Sequence, residues 1–152
     1  MKVLTDTLSL ELETPVDEFT LPQGIVGFAH YTRAQLLREN GGHPFMRMKL
    51  RSPSECVHFV VMEPNGFIPG YEPELFDSDA AALGLADASD AMILTILTMK
   101  PGTPEEATVN LIGPIVVNRR TRIGRQVVIS NYADYRARHP LIASRETAAG
   151  PF

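Results

Sequence analysis

The residue types that most often carry out chemistry are few in this chain. It has four histidines and one cysteine: His30, His43, His58, His139 and Cys56. No two of them stand at the spacing that metal ligands usually have. The sequence also contains no nucleophile elbow and no phosphate-binding loop. The segment Gly24-Ile-Val-Gly27 does not fit the dinucleotide-binding fingerprint. The sequence therefore predicts no metal site, no cofactor and no catalytic residue, and a small hydrolase remains a third alternative.

Cys56 opens the apolar run Cys56-Val-His-Phe-Val-Val-Met62. Nothing near it in the sequence would stabilise a thiolate, so we expect a buried and inert thiol rather than a nucleophile. A single cysteine cannot form an internal disulfide, which suits a reducing compartment.

The most informative segments are 108–118 and 119–129, which together read as a β-hairpin. Their strands are largely apolar, yet they carry the amides Asn110, Asn118 and Gln126. Two interpretations stay open. Either the amides belong to a face that contacts a partner, or the strands are buried on both sides and backbone groups satisfy the amides.

The spacing of the apolar residues predicts how this hairpin is built. Because side chains alternate along a strand, the odd-numbered apolar residues should line one face of two paired strands. These residues are Val109, Leu111, Ile115, Val117, Ile123, Val127 and Ile129. Residues 118–121 form the expected turn. Gly113-Pro114 predicts a bulge or a sheet edge, which could accept an extended segment of a partner.

Four arginines, at positions 119, 120, 122 and 125, surround the expected turn. They raise the alternative of a β-barrel that binds RNA through residues 119–125. Single-stranded nucleic acid is usually held on aromatic platforms beside basic groups, and the adjacent strands contain no aromatic residue. Solvated turn arginines are therefore the favoured interpretation. Phe28 and Tyr71 fall in loops, where they either cover a barrel end or anchor a partner.

Composition sets the broad class of protein. The chain has 152 residues, 44% of them hydrophobic, which fits one globular domain. Eighteen acidic and fourteen basic residues give a net charge of −4, which argues against bulk nucleic-acid binding and favours basic partners. We find neither a signal peptide nor an apolar run long enough to cross a bilayer, so we expect a cytoplasmic protein.

Hydrophobic patterning predicts a mainly β, single-domain, antiparallel β-barrel-like fold with one to three short helices. The expected strands are 7–13, 16–21, 45–50, 57–62, 91–99, 107–118 and 122–129, and a turn is expected at 101–106. The expected helices are 31–40, 78–85 and 131–139. The barrel domain should span 1–142, followed by a flexible tail at 143–152.

Several segments in order along the chain resemble the flagellar assembly factor family, FliW. Phe19-Thr-Leu-Pro-Gln-Gly-Ile-Val-Gly-Phe28 is similar to its early F-x-x-G-I-x-G-F pattern, and Thr108-Val-Asn-Leu-Ile-Gly-Pro-Ile-Val-Val-Asn118 with Gly124-Arg-Gln is similar to T-V-N-L-x-A-P-I-x-I-N and G-x-Q. Pro44-Phe45 and the block ending in Met62-Glu63-Pro64 also match. The chain departs from the family at Gly113, where Ala is common, at 46–51, which lacks L-Q-S, and at Gly70, which replaces an acidic residue.

This resemblance implies a non-catalytic protein that binds the translational repressor CsrA and relieves repression of flagellin messenger RNA. It also implies binding of flagellin, without direct contact to nucleic acid or a membrane, and we expect a monomer. Antagonism of CsrA could be competitive or could act from a site away from the RNA, and the family favours the second. The polar groups on apolar strands and the loop aromatics give the expected contact residues: Asn110, Asn118, Arg122, Gln126, Phe28 and Tyr71.

Overall fold

The computed structural model describes residues 15–38, 44–100 and 102–141. The strands are β1 (Asp17–Thr20), β2 (Arg33–Arg38), β3 (Phe45–Arg51), β4 (Cys56–Met62), β5 (Ala91–Lys100), β6 (Thr103–Val109), β7 (Ile115–Asn118), β8 (Ile123–Gln126) and β9 (His139–Pro140). One α-helix, α1 (Asp77–Ala82), and two 3₁₀ turns at Ala88–Asp90 and Tyr132–Asp134 complete the description. The expected strand at 7–13 and the expected tail at 143–152 lie outside the described residues.

Seven strands close into a barrel in the order β4-β3-β2-β1-β8-β7-β5, because β5 pairs back onto β4. β6 and β9 extend the sheet from β5. The contact between β1 and β8 is parallel and joins Thr20 to Ile123, while every other strand pair in the described ranges is antiparallel. The mainly β, barrel-like prediction is confirmed, with this one parallel closure as an exception to antiparallel pairing.

The barrel interior is aliphatic. Leu36, Met48, Leu50, Leu94 and Ile115 are 0–2% exposed and pack into one cluster. A second cluster, around Met62, Leu97 and Val109, lies where β6 leaves the barrel. A third forms on the outer side of β7, where Leu83 covers Val116 and Val127. β7 is therefore buried on both faces, which explains why all four of its residues are buried.

The helix expected at 31–40 is wrong, since residues 33–38 form β2. Ala34 and Leu36 point into the core, and the backbone pairs with β1 on one side and β3 on the other. Leu37 is also apolar and buried, so that Ala34, Leu36 and Leu37 together fit a helical period in the sequence. Tertiary pairing overrides so short a pattern because a strand between two others satisfies all its backbone groups.

The strand expected at 107–118 is interrupted, and the turn expected at 101–106 is shorter, because β6 already begins at Thr103. Between Leu94 and Leu97, β5 advances three residues, while its partner advances six, from Val109 to Ile115. The extra residues form a bulge at 110–114, as the Gly-Pro pair predicted.

The open sheet edge expected near Pro114 is wrong. The amide of Val127 donates to the carbonyl of Pro114 at 3.0 Å, and the amide of Ile129 donates to Ile112 at 3.1 Å. The chain itself therefore occupies the hydrogen-bonding edge that a partner strand would need.

The hairpin itself is confirmed, with β7 and β8 antiparallel, but its register differs from the expected one. Val117 lies opposite Gly124 and Ile115 opposite Gln126, so odd positions of β7 share a face with even positions of β8. A shift of one residue moves every side chain to the other face, and Ile123 is accordingly 43% exposed. A Cβ on Gly124 would lie 2.8 Å from the Val116 carbonyl oxygen, so the close approach of the strands requires glycine here.

Two further expectations are corrected. Cys56 is exposed because it begins β4 at the turn after β3, outside the packed part of the strand. The helix expected at 131–139 is wrong, since this segment holds only the 3₁₀ turn Tyr132–Asp134 and ends at the start of β9. The helix expected at 78–85 is confirmed as α1, which ends before Gly84 at a φ of +68°.

Candidate partner-binding surfaces

Asn118 is fully buried and its amide is saturated by backbone groups. Its Nδ2 donates to the carbonyls of Leu83 at 2.8 Å and Gly84 at 3.3 Å. Its Oδ1 accepts from the amides of Arg120 at 2.8 Å and Thr121 at 3.3 Å. The side chain thus shapes the β7–β8 turn and ties the end of α1 to the barrel.

The other two amides converge on Gly113 in the bulge. Asn110 Oδ1 accepts from the amides of Ile112 at 3.0 Å and Gly113 at 2.9 Å. Gln126 Nε2 donates to the Gly113 carbonyl at 3.0 Å, and its Oε1 accepts from the amide of Val26 at 2.9 Å. Gln126 therefore connects the bulge to the loop that follows β1.

Backbone groups thus pair with the oxygens of all three amides and with the nitrogens of Asn118 and Gln126, as the second of the two interpretations expected for the amides. They hold the bulge, the β7–β8 turn and the 22–28 loop in place. Asn118 has no exposed surface, and contact of Asn110, Asn118 or Gln126 with a partner stays a prediction.

Arg122 is exposed and has a φ of +59°, and its Nη1 reaches both carboxylate oxygens of Asp17 at 2.7 and 2.8 Å. Two of its neighbours also have acidic partners. Arg120 lies 3.6 Å from Asp90, and Arg125 lies 3.6 Å from Asp79. The arginines of this turn are therefore largely engaged with the protein's own carboxylates.

The two loop aromatics are half-buried in different parts of the molecule. Phe28 packs edge-on against Tyr31 and Phe59, with ring centroids 5.4 and 5.3 Å away, and covers the main core cluster. Tyr71 stacks edge-on with Tyr135 at 4.9 Å in the second cluster. Each ring therefore closes a region of the core, and a role as an anchor for a partner stays a prediction.

The hydroxyl of Tyr71 donates to the carbonyl of Leu111 at 2.7 Å. Burial, and to a lesser extent the neighbouring Tyr135, raise the pKa of Tyr71 well above its ordinary value. The phenol stays protonated across the physiological range and keeps this hydrogen bond to the bulge.

One surface feature was visible in the sequence only as an uneven charge distribution. Residues 72–90, here called the acidic segment, contain no Lys, Arg or His and six carboxylates: Glu72, Glu74, Asp77, Asp79, Asp87 and Asp90. The segment includes α1 and lies over the outer side of β7. Between it and β5 is an apolar depression of about 430 Å³, lined by residues such as Leu75, Leu85 and Ile93.

Two asparagines fix the acidic segment to the barrel. Asn131 Oδ1 accepts from the amide of Glu74, and its Nδ2 donates to the carbonyl of Glu72, both at 2.9 Å. Asn118 holds the other side of the segment at Leu83 and Gly84. Sequence reasoning missed Asn131 because its partners are more than fifty positions away.

The chemistry of the described ranges is sparse. They contain no group of three or more His, Cys, Asp or Glu side chains arranged to hold a metal ion. None of the helices described has the length and apolar character needed to span a bilayer.

The sequence model of the FliW protein family matches residues 5–141. The chain belongs to the FliW family. Relatives named "Flagellar assembly factor FliW" include those of Natranaerobius thermophilus, 35% identical over 91% of both chains, and Bacillus subtilis, 34% identical over 78% of this chain and 80% of the other. A solved structure described as the flagellar assembly factor FliW superposes with a TM-score of 0.69 at 32% identity, covering 82% of this chain and 85% of that one.

Membership of the FliW family confirms the resemblance that the sequence motifs indicated. The matched region contains the whole barrel, including the bulge at 110–114 and the β7–β8 hairpin. This chain is thereby placed among the flagellar assembly factors.

Proposed function

We propose that this chain is a non-catalytic, cytoplasmic regulator that binds a CsrA-type translational repressor and, separately in time, flagellin. Binding of the repressor relieves repression of flagellin messenger RNA, and free flagellin displaces the repressor-bound form. FliW family membership is the observation that carries this proposal. We further propose that the protein acts as a monomer.

The acidic segment supports a basic partner. Its exposed carboxylates, including Glu72, Glu74 and Asp77, form a field of one sign on one side of the barrel. Such a field accelerates encounter with a basic protein and orients it before contact. The apolar depression beside the segment would then provide buried area for the docked complex, which charge alone does not supply.

The proposed contact surface therefore combines the acidic segment with the residues that hold it. Tyr71, Asn110, Asn118 and Gln126 act here by positioning the bulge and the loops, and Phe28 and Arg122 stand at neighbouring loop and turn positions.

Substitution of three carboxylates tests this surface. Glu72→Gln, Glu74→Gln and Asp77→Asn in one chain should weaken binding of the purified repressor by about a hundredfold at low salt, since steering by several charges contributes factors of this order to association. The matched control is Glu18→Gln, Glu55→Gln and Asp134→Asn in one chain, which removes three exposed carboxylates outside the segment. Calorimetric titration measures both, and equal binding by the triple variant and the control would contradict the proposed surface.

The mode of antagonism is tested by titrating the repressor–RNA complex with this chain. We propose that the protein binds away from the RNA and lowers RNA affinity non-competitively. As the RNA concentration rises, the apparent Kd of this chain for the repressor should then increase only to a finite limit. An apparent Kd that keeps rising in proportion to the RNA concentration indicates competition and contradicts this proposal.

Direct RNA binding through residues 119–125 is the second candidate function. The exposed position of the turn favours it, but Arg120, Arg122 and Arg125 already contact carboxylates of this chain. A gel-shift experiment with the purified protein and single-stranded RNA at moderate salt distinguishes this function from repressor binding. A shift that Arg122→Gln abolishes supports direct RNA binding.

A further inference from the structure

A second charged surface lies on the opposite side of the barrel, on the outer face of β1, β2 and β3. Ala34, Leu36, Met48 and Leu50 point inward, so alternation turns the intervening side chains outward. Among these are Arg33, Lys49 and Arg51, here called the cationic face. In the barrel order, β1 and β8 separate this face from β7 on one side, and β4 separates it from β5 on the other.

The register brings two cations into direct opposition. Arg33 lies opposite Arg51 in the antiparallel pair of β2 and β3. Directly opposed side chains in such a pair have Cβ atoms about 5 Å apart, and like charges there are destabilising. The next outward row places Lys49 between Gln35 and His58. The sheet therefore holds positive charges next to one another on a rigid frame.

Carboxylates of the described residues form no ion pair with Arg33, Lys49 or Arg51. Glu18 lies in the row next to Arg33, but its carboxylate accepts a hydrogen bond from Gln35 at 3.3 Å. Arg122 borders the same surface and differs, because Asp17 neutralises it with a two-oxygen contact. Arg122 is thus internally compensated, whereas Arg33, Lys49 and Arg51 have no carboxylate partner within 15–38, 44–100 and 102–141.

These cations surround an open depression of about 500 Å³, whose remaining lining includes Thr20, Gln35 and Thr121. The lining is mostly polar and provides hydroxyl and amide groups beside the cations. Guanidinium groups bind carboxylates through two parallel hydrogen bonds, and fixed spacing on a sheet favours a ligand with regularly spaced anions.

We propose that the cationic face binds an acidic polypeptide segment of a protein partner, in an extended conformation along β2 and β3. The segment would place carboxylates on Arg33 and Arg51 and relieve their mutual repulsion. The chemistry of the face favours a polypeptide over RNA. Phe19, the aromatic residue that lines the depression, is 4% exposed and offers no stacking platform for bases. This proposal does not depend on the proposed binding of the repressor, because Arg33, Lys49 and Arg51 belong neither to the acidic segment nor to the residues that hold it.

The test is fluorescence anisotropy with three synthetic probes: a peptide of alternating Glu and Ser, its Lys–Ser counterpart and a single-stranded RNA oligomer. The variant Arg33→Gln with Arg51→Gln should weaken the Glu–Ser peptide by about a hundredfold, as expected for loss of two charge-assisted hydrogen-bonding groups at about tenfold each. The matched control, Arg136→Gln with Arg138→Gln, makes the same change in net charge at exposed positions outside the face. It should change affinity by less than about twofold, as distant exposed charges are screened by salt.

A second readout keeps the test independent of the chosen peptide. Because Arg33 and Arg51 oppose each other, Arg33→Gln alone should raise the urea midpoint of unfolding, whereas Arg138→Gln should leave it unchanged. Three results would overturn the proposal: no saturable binding of the Glu–Ser peptide, an equal loss of affinity in both double variants, or RNA binding that is tighter than peptide binding and lost with Arg33 and Arg51.

Discussion

The acidic segment and the cationic face carry opposite charges on opposite sides of one barrel, and they are built in different ways. The acidic segment is a run of loop and short helix laid over β7 and held by the side chains of Asn118 and Asn131. The cationic face belongs to the strands themselves, and pairing of β2 with β3 sets its spacing.

The two surfaces also differ in how far the protein balances its own charges. Asp79 and Asp90 of the acidic segment already meet Arg125 and Arg120 at the β7–β8 turn. Arg33 and Arg51 have no such partner among the described residues. The net charge of −4 is therefore the sum of an acidic and a basic surface. A ligand of opposite charge should stabilise the cationic face more, because its like charges lie next to one another on a rigid sheet.

The largest expected effect comes from a substitution that should disturb the acidic segment and leave the cationic face intact. Asn118→Ala should lower the free energy of unfolding by about 3 kcal/mol, because it leaves buried carbonyl and amide groups without partners. Urea unfolding measures this, and the exposed Asn65→Ala is the matched control. Under conditions where the variant is folded, repressor binding should fall while Glu–Ser peptide binding persists. Equal loss of both would show that the surfaces are not separately supported.

A substitution in β8 should destabilise the barrel as a whole, because β8 pairs with both β7 and β1. Gly124→Ala places a Cβ 2.8 Å from both the Val116 carbonyl oxygen and Val117 Cγ2, so we expect a destabilisation of about 2 kcal/mol from overpacking. Gly113→Ala is the control, since its Cβ would meet only the side-chain amides of Asn110 and Gln126, at 3.3 and 3.4 Å, where a small shift is sufficient. Thermal unfolding compares the two, and a control as destabilised as Gly124→Ala would refute the steric account.

The cationic face can be enlarged by one charge. Asp17→Asn removes the partner of Arg122 and should tighten Glu–Ser peptide binding by about threefold, while stability falls by only about 0.5 kcal/mol, as for other exposed ion pairs. Anisotropy and urea unfolding measure the two effects. Asp134→Asn makes the same charge change elsewhere, and an identical gain there would assign the effect to net charge.

The smallest expected effect concerns β9, which belongs to neither surface. Burial, and secondarily Arg136, lower the pKa of His139 below its ordinary value near 6.5. The unfolded chain then takes up the proton more readily, so the contribution of neutral His139 is complete above about pH 6.5 and is lost as the pH falls through the lowered pKa. His139→Gln should flatten the decline in unfolding free energy over this interval. An unchanged pH profile would contradict this assignment, and affinity at both surfaces should be the same in variant and parent.

Much of the barrel could be predicted from residues that alternate or run continuously apolar. Phe45–Arg51, Cys56–Met62 and Ala91–Lys100 have patterns that only a strand fits well at their length. Arg33–Arg38 does not, because Ala34, Leu36 and Leu37 satisfy a helical period equally well over six residues. This segment forms a strand because it pairs with β1 on one side and with β3 on the other.

The candidate surfaces were harder to predict for a related reason. The sequence indicated that Asn118 and Gln126 were unusual on apolar strands, but their partners at Leu83 and Val26 lie 35 and 100 positions away. The odd-even register of β7 and β8 depends on the turn and reversed the expected faces. The opposition of Arg33 and Arg51 appears only once β2 is known to be a strand. Side-chain types were therefore readable from sequence, whereas their pairing was not.

The most direct test of two independent surfaces is a titration of the purified CsrA-type repressor into this protein, with and without saturating Glu–Ser peptide. The account predicts that the Kd for the repressor changes by less than about twofold, because the ligands dock on opposite sides of the barrel beyond the screening length of salt. Displacement of the labelled peptide by the repressor, in proportion to its occupancy, would contradict it.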